Sequence, residues 1–352
     1  MTIHVSKVFV VIFFIVFQAS FGQSIDSTMV FHEQLFEASY LLPVKFKYSR
    51  KQLKKETNDS TYMASQLSYK LNNNDWKILD IKIRARGNFR RRTCYFIPLK
   101  LKISKSNAKE TIFEGHKKLK IVLPCLNESS RDDNVIKEYI IYKMYEKVTP
   151  YYFNTRLVDI EYDDIRNKKV KSHQLKGFFI EDDSKVAQRL KGKIIKRRFS
   201  PQSFDDLSAI RNAMFQYMIG NTDFSATHSH NSKVIYVDKK VVPMSYDFDM
   251  SGFVNTSYSI VAKTKRGELP IENVTERYYM GYKLDYELFE QIRIEFLNNK
   301  KAILKVIIEH KSYFESKRNY DVARAYIDNF FKTISDKSMF KRRTYNVALK
   351  MK

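Results

Sequence analysis

The chain has 352 residues, 43% of them hydrophobic, which is enough to bury a sizeable core in one or two domains. Nine glycines and seven prolines are too few for a collagen-like or low-complexity chain. The net charge of +24 indicates an anionic partner. Neither a zinc-finger spacing nor an aromatic ribonucleoprotein signature accompanies this charge. We therefore expect no nucleic acid, and an anionic envelope polymer stays open as a partner.

The N-terminus has the pattern of an export signal, which we assign to residues 1–22. Lys7 precedes an apolar run, and small residues at the −3 and −1 positions fit cleavage after Gly22. The run is short for a transmembrane helix, so an uncleaved anchor is the alternative. We predict export to the periplasm, the cell surface or the medium. There, Cys94 and Cys125 either form a disulfide or stay as two free buried thiols.

The front half, from about residue 43 to 126, has the period of β-strands. In "WKILDIKIRARGNFRRR" an apolar face alternates with a basic face that carries Lys82, Arg84 and Arg86. "PLKLKI" repeats the pattern with Lys100 and Lys102, and Gly87-Asn88 predicts a turn between the two strands. Further strands are predicted at "LKIVLP", 156–162 and 175–180. Two neighbouring strands thus each present a row of basic side chains.

The back half has the period of helices. Helices are predicted over 134–148, 184–191, 203–219, 286–298, 300–315 and 320–335, with irregular chain over 252–282. Ser203 and Asp206 fit a capping box, and Gly220 fits the end of that helix. "SKVIYV" and "VVPMSY" flank "DKK" and predict a β-hairpin. The sequence predicts an α+β fold, mainly β in front and mainly α behind, joined near 181–200.

One ordered segment carries the chemistry. A helix ends, a loop follows with Asp223 and Asn231, and a hairpin then leads to Asp247 and Asp249. Phosphoryl transfer needs a loop carboxylate that orients the attacking hydroxyl, together with oxygen ligands that hold a metal ion on the phosphates. Asp223 fits the first role, and Asn231, Asp247 and Asp249 fit the second. Loop turns formed by Asp and Asn side chains are the structural alternative.

Two other interpretations of these residues stay open. His228 and His230, with nearby carboxylates, suit a metal-dependent hydrolase, or they only hydrogen-bond the loop. The chain has neither G-x-G-x-x-G nor a Walker A motif, so side chains would have to bind any nucleotide phosphates. The basic rows offer Arg84, Arg86, Lys100 and Lys102 for that purpose. The same rows also fit the solvent face of a half-buried sheet.

Three segments together resemble the CotH family, the spore-coat-protein-H-like atypical protein kinases. They are "IKIRARGNFRRRTCYFIPLKLKI", "LKGFFIEDDSKVAQRL" and "GNTDFSATHSHN…VVPMSYDFD". The first is similar to the family's R-G-N/S turn and following lysine-containing strand. The second is similar to its G-x-Y-x-x-x-E segment, and the third to its loop Asp and metal Asp. The resemblance is strongest to exported members of the Bacteroidetes type and covers about residues 80–255.

The resemblance implies a two-lobed protein-kinase-like fold, with a β-rich N-lobe over 23–180 and a mainly helical C-lobe over 181–352. It implies ATP, Mg²⁺ or Mn²⁺, and transfer of the γ-phosphate to Ser or Thr of a protein substrate. The roles that it implies are a catalytic Asp223, metal ligands Asn231, Asp247 and Asp249, and nucleotide-binding Arg86, Lys100, Lys102 and Glu181. The competing hypothesis is a non-catalytic basic protein of the cell surface or envelope that binds an acidic partner.

Overall fold

The structure is a computed structural model that describes residues 34–71, 75–167, 169–263 and 267–351. The predicted signal peptide, with its cleavage site after Gly22, lies outside these residues. Within them, no helix combines the length and apolar character needed to cross a membrane. Export therefore stays a prediction from the sequence.

Seven strands of the front half form a closed β-barrel. They are β1 (Leu42–Tyr48), β2 (Met63–Tyr69), β3 (Lys77–Ala85), β4 (Leu99–Ile103), β5 (Lys118–Val122), β6 (Thr155–Arg166) and β7 (Lys169–Ile180). The strand order is β1-β2-β3-β4-β5-β7-β6. Neighbouring strands are antiparallel, except that β1 runs parallel to β6 and so completes the barrel.

The apolar face that the sequence predicts for β3 points into the barrel. Ile81, Ile83 and Ala85 are buried there, whereas Lys82 is exposed. Strand β4 repeats this alternation, with its three apolar residues inside and Lys102 outside. Each large buried aliphatic side chain contributes about 1.5–3 kcal/mol relative to exposure. A shift of one residue would place lysines inside, so the burial pattern fixes the register.

The remaining elements are mostly helical. The helices are α1 (Arg50–Glu56), α2 (Asn88–Thr93), α3 (Lys105–Ala108), α4 (Arg131–Tyr145), α5 (Asp183–Arg189), α6 (Asp206–Ile219), α7 (Tyr286–Asn298), α8 (Lys300–Glu309), α9 (Lys317–Ser335) and α10 (Lys337–Arg343). A small antiparallel sheet has the order β10-β9-β8 and consists of β8 (Lys193–Ile195), β9 (Ser232–Val237) and β10 (Lys240–Ser245). The chain is thus an α+β protein with a closed barrel followed by a mostly helical part.

Helix α4 connects the barrel to the helical part. It packs against β7 and β6 on one side and against α8 on the other. Its apolar residues join one buried cluster with those of α6, α7, α8 and α9. The same helix also buries four charged residues, Asp132, Asp133, Lys137 and Glu138. Buried charges need partners, and the partners of Glu138 lie at the candidate site.

Several sequence predictions are confirmed. Gly220 ends α6 in the left-handed conformation, with φ 64°. The hairpin β9–β10 forms around Asp238 and Lys239, both with positive φ. Within 252–263 and 267–282 no helix or named strand occurs. Strand β7 ends at Ile180, the last residue of the predicted N-lobe, but the division into lobes stays a prediction.

Three local predictions are wrong. Gly87 and Asn88 do not form a turn but begin helix α2. The N–H of Arg91 donates to the Gly87 carbonyl at 3.1 Å, which is a helical hydrogen bond, and the chain continues as a helix to Thr93. Asp205, not Ser203, caps α6, since the extended Phe204 separates Ser203 from that helix. The helix predicted over 300–315 ends at residue 309 and is followed by a short 3₁₀ turn.

Candidate functional site

The loop after α6 holds Asp223 in a defined place. Gly220 turns the chain out of the helix, in a conformation that glycine adopts without strain. The Asn221 side chain then donates to Gln216 Oε1 at 2.9 Å and accepts from the Asp223 backbone N–H at 3.0 Å. The end of the helix therefore fixes the position of the Asp223 backbone, while the Asp223 carboxylate stays partly exposed.

The far end of the same loop binds the Asp223 carboxylate. His230 Nε2 lies 2.7 Å from Oδ1, and Asn231 Nδ2 donates to Oδ2 at 3.0 Å. The pKa of His230 is raised, mainly by the hydrogen bond with Asp223. Burial acts in the opposite direction, and the negative charges of Asp223 and Asp247 raise the pKa further. The carboxylate is therefore oriented from two sides while it faces solvent.

The hairpin β9–β10 brings Asp247 next to this loop. The N–H of Tyr246 donates to the Asn231 carbonyl at 3.2 Å, which places the two segments side by side. Asp247 is left-handed, with φ 66°, and its N–H donates to Tyr142 Oη at 2.9 Å. That backbone conformation costs a non-glycine residue about 1 kcal/mol or more. The surrounding contacts thus hold Asp247 in an unfavourable backbone conformation.

A single guanidinium connects Asp247 to two further carboxylates, and we call this group the Arg90 cluster. Arg90 Nη2 lies 2.5 Å from Asp247 Oδ1, 2.7 Å from Asp249 Oδ1 and 3.8 Å from Glu138 Oε1. Arg90 comes from α2 and Glu138 from α4, so three distant parts of the chain meet here. Asp249 Oδ2 also accepts from Tyr258 Oη at 2.9 Å.

The carboxylates of the Arg90 cluster differ in charge state. Burial disfavours ionisation of Asp247, but Arg90, followed by Arg86, outweighs burial and lowers the pKa of Asp247. Burial dominates at the other two, where it raises the pKa of Asp249 and raises the pKa of Glu138 to about 8. Asp247 is therefore ionised at neutral pH, while Glu138, with a pKa of about 8, is mainly protonated.

A second charged group lies beside Asp247. Lys120 Nζ is 2.5 Å from Asp183 Oδ1, and Lys233 Nζ is 3.3 Å from Asp183 Oδ2. Lys120 Nζ and Lys233 Nζ lie 5.5 Å and 5.3 Å from the ring centre of Tyr246, the residue directly before Asp247. The charges of Arg86 and Lys120 also oppose burial and help to lower the pKa of Asp247. We call Arg86, Lys120 and Lys233 the cationic triad.

A groove of about 490 Å³ is lined in part by Asp223. Its walls include the catalytic-loop candidates Asp223 and His230 and the half-exposed aromatic side chains of Phe224, Tyr278 and Tyr282. Asp223 is thus accessible from a surface large enough for a peptide segment.

The structure brings together some of the predicted site residues and separates others. Asp223, Asn231, Asp247, Asp249 and Arg86 meet at one place. The remaining three predicted residues, Lys100, Lys102 and Glu181, have other neighbours. The Lys100 ammonium is 3.9 Å from the Asp182 carboxylate. Lys102 is exposed on the outside of the barrel, opposite Lys82 and Lys118. Glu181 is buried, pairs with Arg189 and accepts a hydrogen bond from the N–H of Asn154.

Sequence reasoning missed Arg90, Glu138, Lys120 and Lys233. Lys120 stands in the predicted strand "LKIVLP", where the alternation places it on the basic face, so that signal was present. Arg90 is one of three consecutive arginines, and no local feature distinguishes it from Arg91. Glu138 falls on a predicted helix whose buried face could not be told from its spacing alone.

Two of the predicted metal ligands, Asp247 and Asn231, have oxygens with the chemistry of ligands for a hard cation. The Asp247 side chain keeps 26% exposure, and in the described part of the chain no donor bonds Asn231 Oδ1. Both oxygens suit Mg²⁺ or Mn²⁺, with phosphates and water as the further ligands. Both Asp249 oxygens already have partners in Arg90 and Tyr258.

The histidine alternative has less geometric support. His228 Nδ1 lies 3.0 Å from Thr227 Oγ1 and 3.2 Å from Ser225 Oγ, so it bonds its own loop. His230 bonds Asp223. Over residues 34–351, apart from the three short undescribed gaps, no three or more His, Cys, Asp or Glu side chains are grouped to hold a metal ion.

Comparison with known proteins found no family model that matches the chain and no curated protein that matches it. The resemblance to the CotH family therefore rests on the motifs alone and stays a prediction.

Proposed function

We propose that the protein is an exported CotH-like kinase with a two-lobed protein-kinase-like fold, which transfers the γ-phosphate of ATP to Ser or Thr of a protein. One observation carries the proposal: Asp223, Asn231 and Asp247 meet at one place, next to the cationic triad. The disulfide between Cys94 and Cys125 supports export, since such bonds persist in oxidising compartments.

Each residue has a role in the transfer. Asp223 accepts the proton of the substrate's Ser or Thr hydroxyl while the oxygen of that hydroxyl bonds the γ-phosphorus. At the same time the bond between the γ-phosphorus and the oxygen that bridges it to the β-phosphate breaks, and ADP is released. His230 and Asn231 orient the Asp223 carboxylate through the bonds described above. A Mg²⁺ or Mn²⁺ ion bound by Asp247 and Asn231 would neutralise charge on the transferred group.

The cationic triad would bind the phosphates. Arg86 offers a fork of donors, while Lys120 and Lys233 act as point charges held in place by Asp183. These side chains replace the missing glycine-rich loop. Lys100 stays a candidate at the edge of this set, since it lies opposite Lys120 in the barrel.

The test is transfer of labelled phosphate from ATP in the presence of Mn²⁺ or Mg²⁺. We expect Asp247→Ala to lose both transfer and metal-dependent nucleotide binding. Asp223→Asn should lose transfer by about 10²–10⁴-fold but keep nucleotide binding, because the residue acts on the acceptor. The proposal would be contradicted if the wild type and both variants transferred equal amounts of labelled phosphate, or if none of the three transferred any.

A second function is favoured by a different observation, the row of Lys82, Lys102 and Lys118 on the outside of the barrel. These residues lie directly opposite one another on β3, β4 and β5, and all are exposed. Facing like charges are destabilising, and no carboxylate of the described residues lies within 4.0 Å of them. A non-catalytic envelope protein would use this row to bind an acidic partner.

This alternative predicts salt-sensitive binding to polyglutamate. Replacing the three row lysines by glutamine should weaken binding by about tenfold or more. The matched control replaces Lys51, Lys54 and Lys55, three exposed lysines of α1, and removes the same charge. Fluorescence anisotropy measures both. An equal loss in the two variants would show that only net charge matters, and the row would then have no binding role.

A further inference from the structure

Arg90 occupies the point between two candidate metal ligands. Its Nη2 lies 2.5 Å from Asp247 Oδ1 and 2.7 Å from Asp249 Oδ1. A divalent ion that bridged these oxygens would need nearly the same place, because its bonds to oxygen are about 2.0–2.6 Å long. The guanidinium nitrogen and a bridging metal ion therefore exclude each other.

Arg90 is not free to leave. Its side chain is 10% exposed, and Glu138 lies on a third side, with an Oε1 that has no hydrogen-bond partner among the residues that the structure describes. The helix that carries Arg90 is also tethered, because Cys94 follows it directly, bonds the Arg90 carbonyl at 2.9 Å and is disulfide-linked to Cys125. Displacing the guanidinium would uncover buried carboxylates, which is costly.

The surroundings of Asp247 are also cationic. Lys120 Nζ and Lys233 Nζ of the cationic triad lie 5.5 Å and 5.3 Å from the ring centre of Tyr246, the residue directly before Asp247. Cations repel a bare divalent ion and attract an anionic complex. A polyphosphate would offset the triad and bring its own oxygen ligands to the metal.

We infer that Arg90 stands in for a free divalent cation, so that the site takes up its metal only together with a polyphosphate. The pairing with a polyphosphate rests on the proposed function; the exclusion of the bare ion by Arg90 does not. Arg90 is a positioning residue here, since it holds Asp247 and Asp249 and touches neither metal nor substrate.

Equilibrium dialysis of Mn²⁺ against the intact protein tests this without any catalysis. With Mn²⁺ alone, we expect the wild type to bind more weakly than about 1 mM. With a non-hydrolysable ATP analogue, metal and analogue should be retained together. Retention of Mn²⁺ by the wild type at micromolar concentrations, without the analogue, would overturn the inference.

Variants of Arg90 separate its role from that of net charge. Arg90→Met should bind Mn²⁺ alone at least about tenfold more tightly than the wild type. Arg90→Lys keeps a cation in the cluster and should still exclude the ion. The matched control is Arg91→Met, whose side chain bonds the Thr57 carbonyl and not the Arg90 cluster; it should behave as the wild type.

The outcomes distinguish this inference from the proposed function. A folded Arg90→Met protein that binds Mn²⁺ no better than the wild type overturns the role of Arg90 and leaves the kinase proposal standing. A wild type that retains neither analogue nor metal contradicts the kinase proposal, while the Arg90→Met comparison still decides the exclusion. If Arg90→Met does not fold, the wild-type and Arg90→Lys measurements decide it.

Discussion

Asp183 shows how single residues set the charge of the site. Its carboxylate lies between Lys120 and Lys233 and forms an ion pair with each of them. Burial alone would raise the pKa of its carboxyl, but the two lysines outweigh burial and lower the pKa from 3.8 to about 2. Without Asp183, two partly buried cations would be left unpaired. The residue therefore positions Lys120 and Lys233.

This shift predicts an acid-dependent contribution to stability. The folded-state pKa of Asp183 is depressed, so its stabilisation is complete above about pH 4 and is lost as the pH falls towards 2. Asp183→Asn should therefore lower the free energy of unfolding by about 2 kcal/mol at pH 7, and by less at pH 3. Urea unfolding at the two pH values measures this difference.

The control for that prediction is Asp80→Asn, an exposed carboxylate that bonds only the Gln66 side chain in the described part of the chain. Its effect should stay within about 0.5 kcal/mol at either pH. If Asp183→Asn lowers the free energy of unfolding as much at pH 3 as at pH 7, the ion pairs of Asp183 with the two lysines do not have the role assigned to them.

Sequence patterns predicted some site residues because their signal is local. Asp223, Asn231 and Asp247 are ordered by a helix end and a hairpin, and both can be recognised from caps and alternation. Arg90 and Glu138 carry no such signal, because their meeting depends on how α2 and α4 pack. Lys100 and Lys102 were predicted from a basic face that the barrel places mainly towards solvent.

At the scale of elements, α2 is the segment that the disulfide holds. The helix has six residues, and its N-cap Gly87 offers no side chain to cap it. A helix this short is unstable alone. The Cys94–Cys125 bond and the ion pairs of Arg90 therefore keep it against the end of the barrel.

Removing the disulfide should cost stability. Its two cysteines are 31 residues apart, and closing a loop of that length contributes about 3–4 kcal/mol in the chain-entropy description. We expect the double variant Cys94→Ser with Cys125→Ser to lose about that much free energy of unfolding in urea. The wild type under reducing conditions serves as the control and should match it. A loss under about 1 kcal/mol would show that packing alone holds α2.

At the scale of the whole molecule, the general architecture was predictable and its closure was not. Alternation gave the strands of the front half and the 3.6-residue period gave the helices of the back half. The barrel closes through the parallel pairing of β1 with β6, where Leu42 faces Val158. No local pattern records a contact between residues so far apart in the chain, so the sequence predicted a β-rich half but not a barrel.

The most direct test of the kinase proposal is a crystal structure with a non-hydrolysable ATP analogue and Mn²⁺. We predict the phosphates on Arg86, Lys120 and Lys233, the metal on Asp247 and Asn231, and the terminal phosphate facing Asp223, with Arg90 still bound to Asp249. An analogue bound away from Asp247, or a metal ion on Asp247 with no phosphate oxygen among its ligands, would contradict the proposal.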